Sequence, residues 1–214
     1  MTISPIDLAS LLCSRLCHDM LSPVGALTNG LELLADEKDP EMRKRCFELL
    51  EQSARISADK LKFFRLAFGA AGGFGELIAV HAARTLVDSL VANNARIRVE
   101  WSFASDALPK AAVKTLLNFA LIGIDGLPRG GVLSLAAELR DGVSEIVVRA
   151  EGPRIAFDKD IGRALEGVLP DSELSSRTAP AVMIAVLAAE LGGQLQFMVD
   201  QDALVLGAVL PQGA

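Results

Sequence analysis

Histidine is scarce in this chain: His18 and His81 are the only two among 214 residues. The three cysteines are an odd number without framework spacing, which excludes a disulfide scaffold and fits reduced thiols. Long apolar runs are missing. The longest, Ala179 to Ala189, falls short of the roughly 20 residues a membrane helix needs. An excess of basic charge is missing too. The formal net charge of −6 argues against a nucleic-acid backbone as the main partner. The start, MTISPIDLAS, lacks the basic stretch of a signal peptide, so a soluble cytoplasmic chain is expected, bound to neither nucleic acid nor membrane. Apolar residues, by contrast, make up 51%, too many for a disordered chain. The length suits one domain or two small ones, with a core that needs no disulfide or metal.

Helical patterns run from about Ile6 to Ala35 and from about Pro40 to Phe68, with the turn DEKDP between them. Pro40 is well placed for a first helical turn. Two long helices on a short turn form an antiparallel hairpin. A lone hairpin has little to bury its apolar stripe against, and pairing with a second copy would complete a four-helix bundle. Residues 1–68 are thus expected to form one unit, and GAAGGFG, Gly69 to Gly75, a glycine-rich linker. Residues 76–214 then mix periods. Glu76 to Asn94, Pro109 to Ile124, Asp158 to Val168 and Ala179 to Leu191 read as helices. Arg96 to Phe103, Val132 to Glu138 and Glu145 to Ala150 read as strands, and the C-terminal stretch as a hairpin around Asp200 to Asp202. The expected architecture is a helical hairpin followed by a two-layer α/β sandwich.

On an ideal helix, Leu16, Met20, Val24, Leu27, Leu31 and Leu34 lie about 160–240° from His18. The histidine's own side carries Ser14, Arg15, Leu21, Ser22, Gly25 and Asn29, which apart from Leu21 are small or polar; Leu11 also falls there. His18 therefore faces outward from the middle of a long helix, and geometry alone makes it a solvated surface histidine. A metal site with Cys13 and Cys17 is disfavoured, because neighbours such as Cys17 and His18 diverge by about 100°. Buried structural thiols are expected instead. No residue is expected to bind a metal or cofactor.

The string CHDMLSP, Cys17 to Pro23, resembles the phosphoacceptor box of sensor histidine kinases: His, an acid, an apolar residue, two more positions, then Pro. In that family the box lies on the first helix of a dimeric (DHp-type) hairpin, and the resemblance implies that His18 carries a phosphoryl group. Pro23 removes the backbone bond to the carbonyl of Asp19, freeing the helix to bend beyond the histidine. The kinase ATPase (GHKL, or Bergerat-like) domain is also recognisable, without its nucleotide residues. In LLNFALIGIDGLPRGG, Leu116 to Gly131, Phe119 stands where the family has its Mg²⁺-binding Asn and Ile122 where it has Lys; Asn118 comes one place early. Ala150 stands at the adenine-recognising Asp, and Arg154 replaces a glycine after Gly152. Before the Gly192-Gly193 turn, Ser176, Thr178 and Pro180 occupy the places of phosphate-cradling glycines. A kept frame with lost nucleotide chemistry resembles the ChpT-type histidine phosphotransferases of alphaproteobacteria, along about Leu8 to Leu210.

That resemblance implies a relay without ATP. A hybrid kinase's receiver aspartate passes phosphate to His18, which passes it to a downstream response regulator of the CtrA-like or CpdR-like kind, with Mg²⁺ supplied by the receiver. Histidine suits this because it offers a neutral nucleophile near neutral pH. Asp19 reads equally as a carboxylate that orients the imidazole or as a solvated helix acid. Arg15 could pair with acids of the receiver. Ser22 stands where kinases with receiver-phosphatase activity carry Thr or Asn, and Asn29 extends the docking face. His81 is expected to be structural or solvated. Two rivals remain: a receiver-binding antagonist or phosphatase that holds no phosphate, and an active kinase with unusual nucleotide chemistry.

Overall fold

The computed structural model describes residues 3–69, 76–92 and 94–212. Helix α1 spans Pro5–Asp36, and the Ser4 hydroxyl before it accepts the Ile6 N–H. Helix α2 spans Pro40–Ala67, capped by the Asp39 carboxylate on the Glu41 N–H. Both starts place a proline where the helix needs no donor. The turn between them is closed by Arg43, whose guanidinium donates to the carbonyls of Leu34 and Glu37 at the end of α1. Gly30 lets the two helices approach closely, since a Cβ there would lie 2.9 Å from Leu50.

The sheet follows: β2 (Ile97–Phe103), β4 (Gly131–Arg140), β5 (Val143–Glu151), β6 (Gln194–Val199) and β7 (Ala203–Pro211), ordered β2-β4-β5-β7-β6. Of its pairs, β2 and β4 run parallel and the others antiparallel. Helices α3 (Val80–Val91), α4 (Lys110–Asp125) and α6 (Ala179–Glu190) pack on the sheet, and the short α5 (Lys159–Leu165) packs on α6. In β5, Ser144, Ile146, Val148 and Ala150 are buried, while Val147 is exposed on the opposite face. Helix α4 is the central element, buried almost continuously from Ala112 to Gly123. At the LPRGG turn Gly130 has φ +83°, and a Cβ would meet the Arg96 carbonyl at 2.4 Å, so only glycine fits.

Two sequence expectations change. The helix expected from Glu76 starts at Val80, because Leu77–Ala79 forms a three-residue strand, β1, against β3 (Ala107–Pro109). Strands that short carry too few alternations to be read as a period. Cys46 is buried, but Cys13 and Cys17 are exposed: α1 turns their face away from its neighbours and buries only Pro23 and Gly30. The hairpin shares packing with the sheet layer. Phe63, Phe64, Leu66 and Ala67 of α2 join the same core cluster as Leu116, Phe119, Leu133 and Val148. Of the expected linker, residues 70–75 lie outside the described residues.

Candidate functional site

His18 sits near the middle of α1, its side chain 80% exposed. Its Nδ1 lies 3.1 Å from Asp19 Oδ1. A carboxylate oxygen accepts only, so in the neutral ring Nδ1 is the nitrogen that carries the hydrogen and Nε2 the one that keeps a lone pair. The other oxygen of Asp19, Oδ2, accepts from Arg15 Nε at 2.8 Å. Arg15 reaches further. Its Nη2 donates to Asp125 Oδ2, also at 2.8 Å, and Asp125 is the last residue of α4. A chain of three hydrogen bonds thus links the imidazole to the α/β layer. Burial alone would lower the Arg15 pKa, but the charge of Asp125 and the hydrogen bonds to Asp125 and Asp19 outweigh it and hold the guanidinium above its ordinary range.

The backbone at this point is incomplete by itself. Pro23 has no N–H for the carbonyl of Asp19. Lys60, on the facing helix α2, supplies the missing donor: its Nζ lies 2.9 Å from that carbonyl oxygen. The helix therefore continues through Pro23 to Asp36, with the orphaned acceptor satisfied across the hairpin.

Arg15, His18, Asp19, Asp125, Ser176 and Arg177 line an open basin of about 450 Å³. Ser176 and Arg177 come from the loop before α6. That loop is closed on itself: the Ser175 N–H donates to Thr178 Oγ1 at 3.0 Å and the Thr178 N–H to Ser175 Oγ at 3.3 Å. Arg177 faces Asp158 at 3.5 Å. The arrangement can present a histidine with one nitrogen fixed and the other free, beside a wall built from both parts of the chain.

Of the residues expected around His18, Ser14, Leu21, Ser22 and Asn29 are exposed, and Gly25 leaves open space, with nothing within 4 Å of a Cβ. Arg15 is turned inward instead. Its side chain is 11% exposed, because Asp19 and Asp125 draw it against the protein's own surface. His81 is exposed on α3. At the positions that the resemblance assigns to kinase nucleotide residues, Phe119, Ile122 and Ala150 are core, and Pro180 is buried in the first turn of α6. Asn118 is fully buried and donates to the carbonyls of Lys114, at 2.8 Å, and Ala67, at 3.2 Å. Asp125 and Lys60 are not legible in the sequence. Each acts across a long sequence separation; Asp125 falls within the LLNFALIGIDGLPRGG stretch but at none of its motif positions, and Lys60 lies in no motif.

The model of the histidine phosphotransferase C-terminal domain matches residues 80–203. The protein phosphotransferase ChpT of Brucella abortus (strain 2308) is 34% identical over 207 residues, 97% of this chain and 97% of that protein. A solved bacterial phosphotransferase is 33% identical and superposes with a TM-score of 0.84, covering 97% of this chain and 98% of that one. The histidine kinase AdeS of Acinetobacter baumannii is more distant, at 16% identity and a TM-score of 0.47 over 92% of this chain and 98% of that chain. With residues 80–203 matched by the family model and 97% of its length by a relative 34% identical, this chain belongs to the histidine phosphotransferase family.

Proposed function

We propose that the chain relays a phosphoryl group between receiver aspartates through Nε2 of His18, without ATP. The observation that carries this reading is the exposed imidazole whose Nδ1 is held by Asp19 while Nε2 is left free. The Nε2 lone pair attacks the phosphorus of an aspartyl phosphate. The P–O bond to that aspartate breaks, its electron pair returns to the carboxylate, and an N–P bond forms. Nδ1 keeps its proton, and the positive charge that develops on the ring is offset by Asp19. The reverse sequence places the group on a second aspartate. Positioning and electrostatics suffice for such a transfer. Mg²⁺ belongs to the receiver's acidic pocket. The face formed by Ser14, Leu21, Ser22, Gly25 and Asn29 receives the receiver, its short side chains leaving room for approach.

The absence of ATP chemistry is supported by Phe119, Ile122 and Ala150, which are apolar and buried where a nucleotide site needs a metal ligand, a cation and an adenine acceptor. Dimerisation through the hairpin is supported by the apolar side chains that one copy leaves exposed, among them Leu31, Leu33, Phe47 and Leu49.

The test is to mix the protein with a phosphorylated receiver and Mg²⁺ and follow acid-labile label. Label is expected at His18 and is lost in His18→Ala, with the fold unchanged as for most exposed substitutions. Asp19→Asn slows transfer without abolishing it. Undiminished label on His18→Ala, or label that maps to His81, overturns the proposal. Receiver dephosphorylation with no label at any time supports the phosphatase reading instead.

A further inference from the structure

We infer that Asp125, at the end of α4, is a positioning residue for His18, acting through Arg15 and Asp19. The inference rests on His18 being the phosphoacceptor, and it gives the α/β layer a part in the chemistry. Nothing local explains an acid at this place. Asp125 closes a helix whose last turn carries no basic residue, and a carboxylate at the negative end of a helix is unfavourable. Its partner lies 110 positions away in sequence, on α1.

The geometry shows what the contact does. Arg15 is nearly enclosed, at 11% exposure, and its guanidinium spans two carboxylates with one 2.8 Å bond to each. Held at Asp125, the fork cannot rotate to take both oxygens of Asp19. It engages Oδ2 alone and leaves Oδ1 for the imidazole. Without Asp125, Arg15 is free to bind Asp19 in the two-pronged geometry that arginine and carboxylate favour. Both oxygens of Asp19 are then drawn to the guanidinium, and Oδ1 is turned away from the hydrogen on Nδ1, whose bond weakens. The ring is released to rotate and to place its hydrogen on Nε2, the nitrogen that must attack.

The experiment uses the full chain with Asp125→Ala and Asp125→Glu. The ¹⁵N spectrum of the resting protein reports which ring nitrogen carries hydrogen, and single-turnover transfer from a phosphorylated receiver reports rate and saturation separately. Asp125→Ala is expected to raise the Nε2–H form of His18 and to lower the rate at saturating receiver on the order of tenfold. Half-saturation should be unchanged, and Asp125→Glu should recover much of both effects. An unchanged His18 spectrum, an unchanged maximal rate, or a loss confined to half-saturation overturns the inference; the last would make Asp125 a docking contact. If the wild-type chain takes no label at all, the relay reading fails, while the spectrum still decides whether Asp125 governs the ring.

Discussion

Removing the Lys60 ammonium should destabilise the protein by an amount that depends on Pro23. Lys60→Met keeps most of the aliphatic stem and deletes the donor. The carbonyl of Asp19 then has no partner, because Pro23 cannot supply one. A hydrogen bond from a charged group contributes about 1.5–3 kcal/mol, and the half-buried setting lowers this to about 1–2 kcal/mol. For a chain of this size that corresponds to a fall of about 2–8 °C in Tm. In a Pro23→Ala background the backbone N–H restored at this position bonds the same carbonyl, so Lys60→Met should cost little. The coupling between the two sites is therefore expected at about 1 kcal/mol. Urea or thermal unfolding of the four proteins measures it, at one protein concentration so that any association is held fixed. An equal cost of Lys60→Met in both backgrounds would refute the account, since Lys60 would then stabilise something other than the acceptor Pro23 leaves open.

Titration calorimetry with Mg-ATP should show no binding at millimolar nucleotide, and a micromolar dissociation constant would restore a kinase. Light scattering should give a dimer at micromolar concentration, since each large side chain left in water forgoes about 1.5–3 kcal/mol; Leu31→Asp should shift the population to monomer. Lys114→Met should raise stability at neutral pH. Burial, with Lys110 adding like charge, holds the Lys114 ammonium below its ordinary 10.5, so the unfolded chain binds that proton more tightly. Stability of the wild type therefore rises with pH from the lowered value up to 10.5, and chemical denaturation should find the gap between variant and wild type narrowing over that window.

The hairpin and the sheet are legible in the sequence because their signals are local and periodic. Pro40 at the first turn of α2, the DEKDP turn and the alternation in β2, β4 and β5 each act within a few residues. The outward direction of His18 follows from helical phase in the same way. Arg15 departs from expectation for an instructive reason. Phase puts it correctly on the histidine's side of α1, but phase says nothing about what stands opposite, and Asp125 stands there from 110 residues away. Lys60 has the same character. Pro23 announces that the carbonyl of Asp19 lacks a donor, yet which side chain of α2 supplies one depends on how the hairpin closes.

The stretch of α4 where the resemblance to kinases places nucleotide residues also carries the attachment of the hairpin. Asn118, one place before the position of the family's metal ligand, looks inward and holds the last carbonyl of α2, that of Ala67. Phe119, at the ligand position itself, packs in a core that Phe63, Phe64 and Leu66 of the hairpin share. A polar residue at 119 facing a nucleotide would leave a hole in that core or an unpaired group beside it, and either is destabilising. Helix α4 thus holds the end of α2 at Asn118 and reaches α1 at Asp125. These two contacts tie both helices of the hairpin to α4, α2 at Ala67 and α1 at Arg15. On the proposed reading, an α/β layer without nucleotide chemistry can still position an imidazole, because that task needs only a rigid helix with a few side chains aimed at one place.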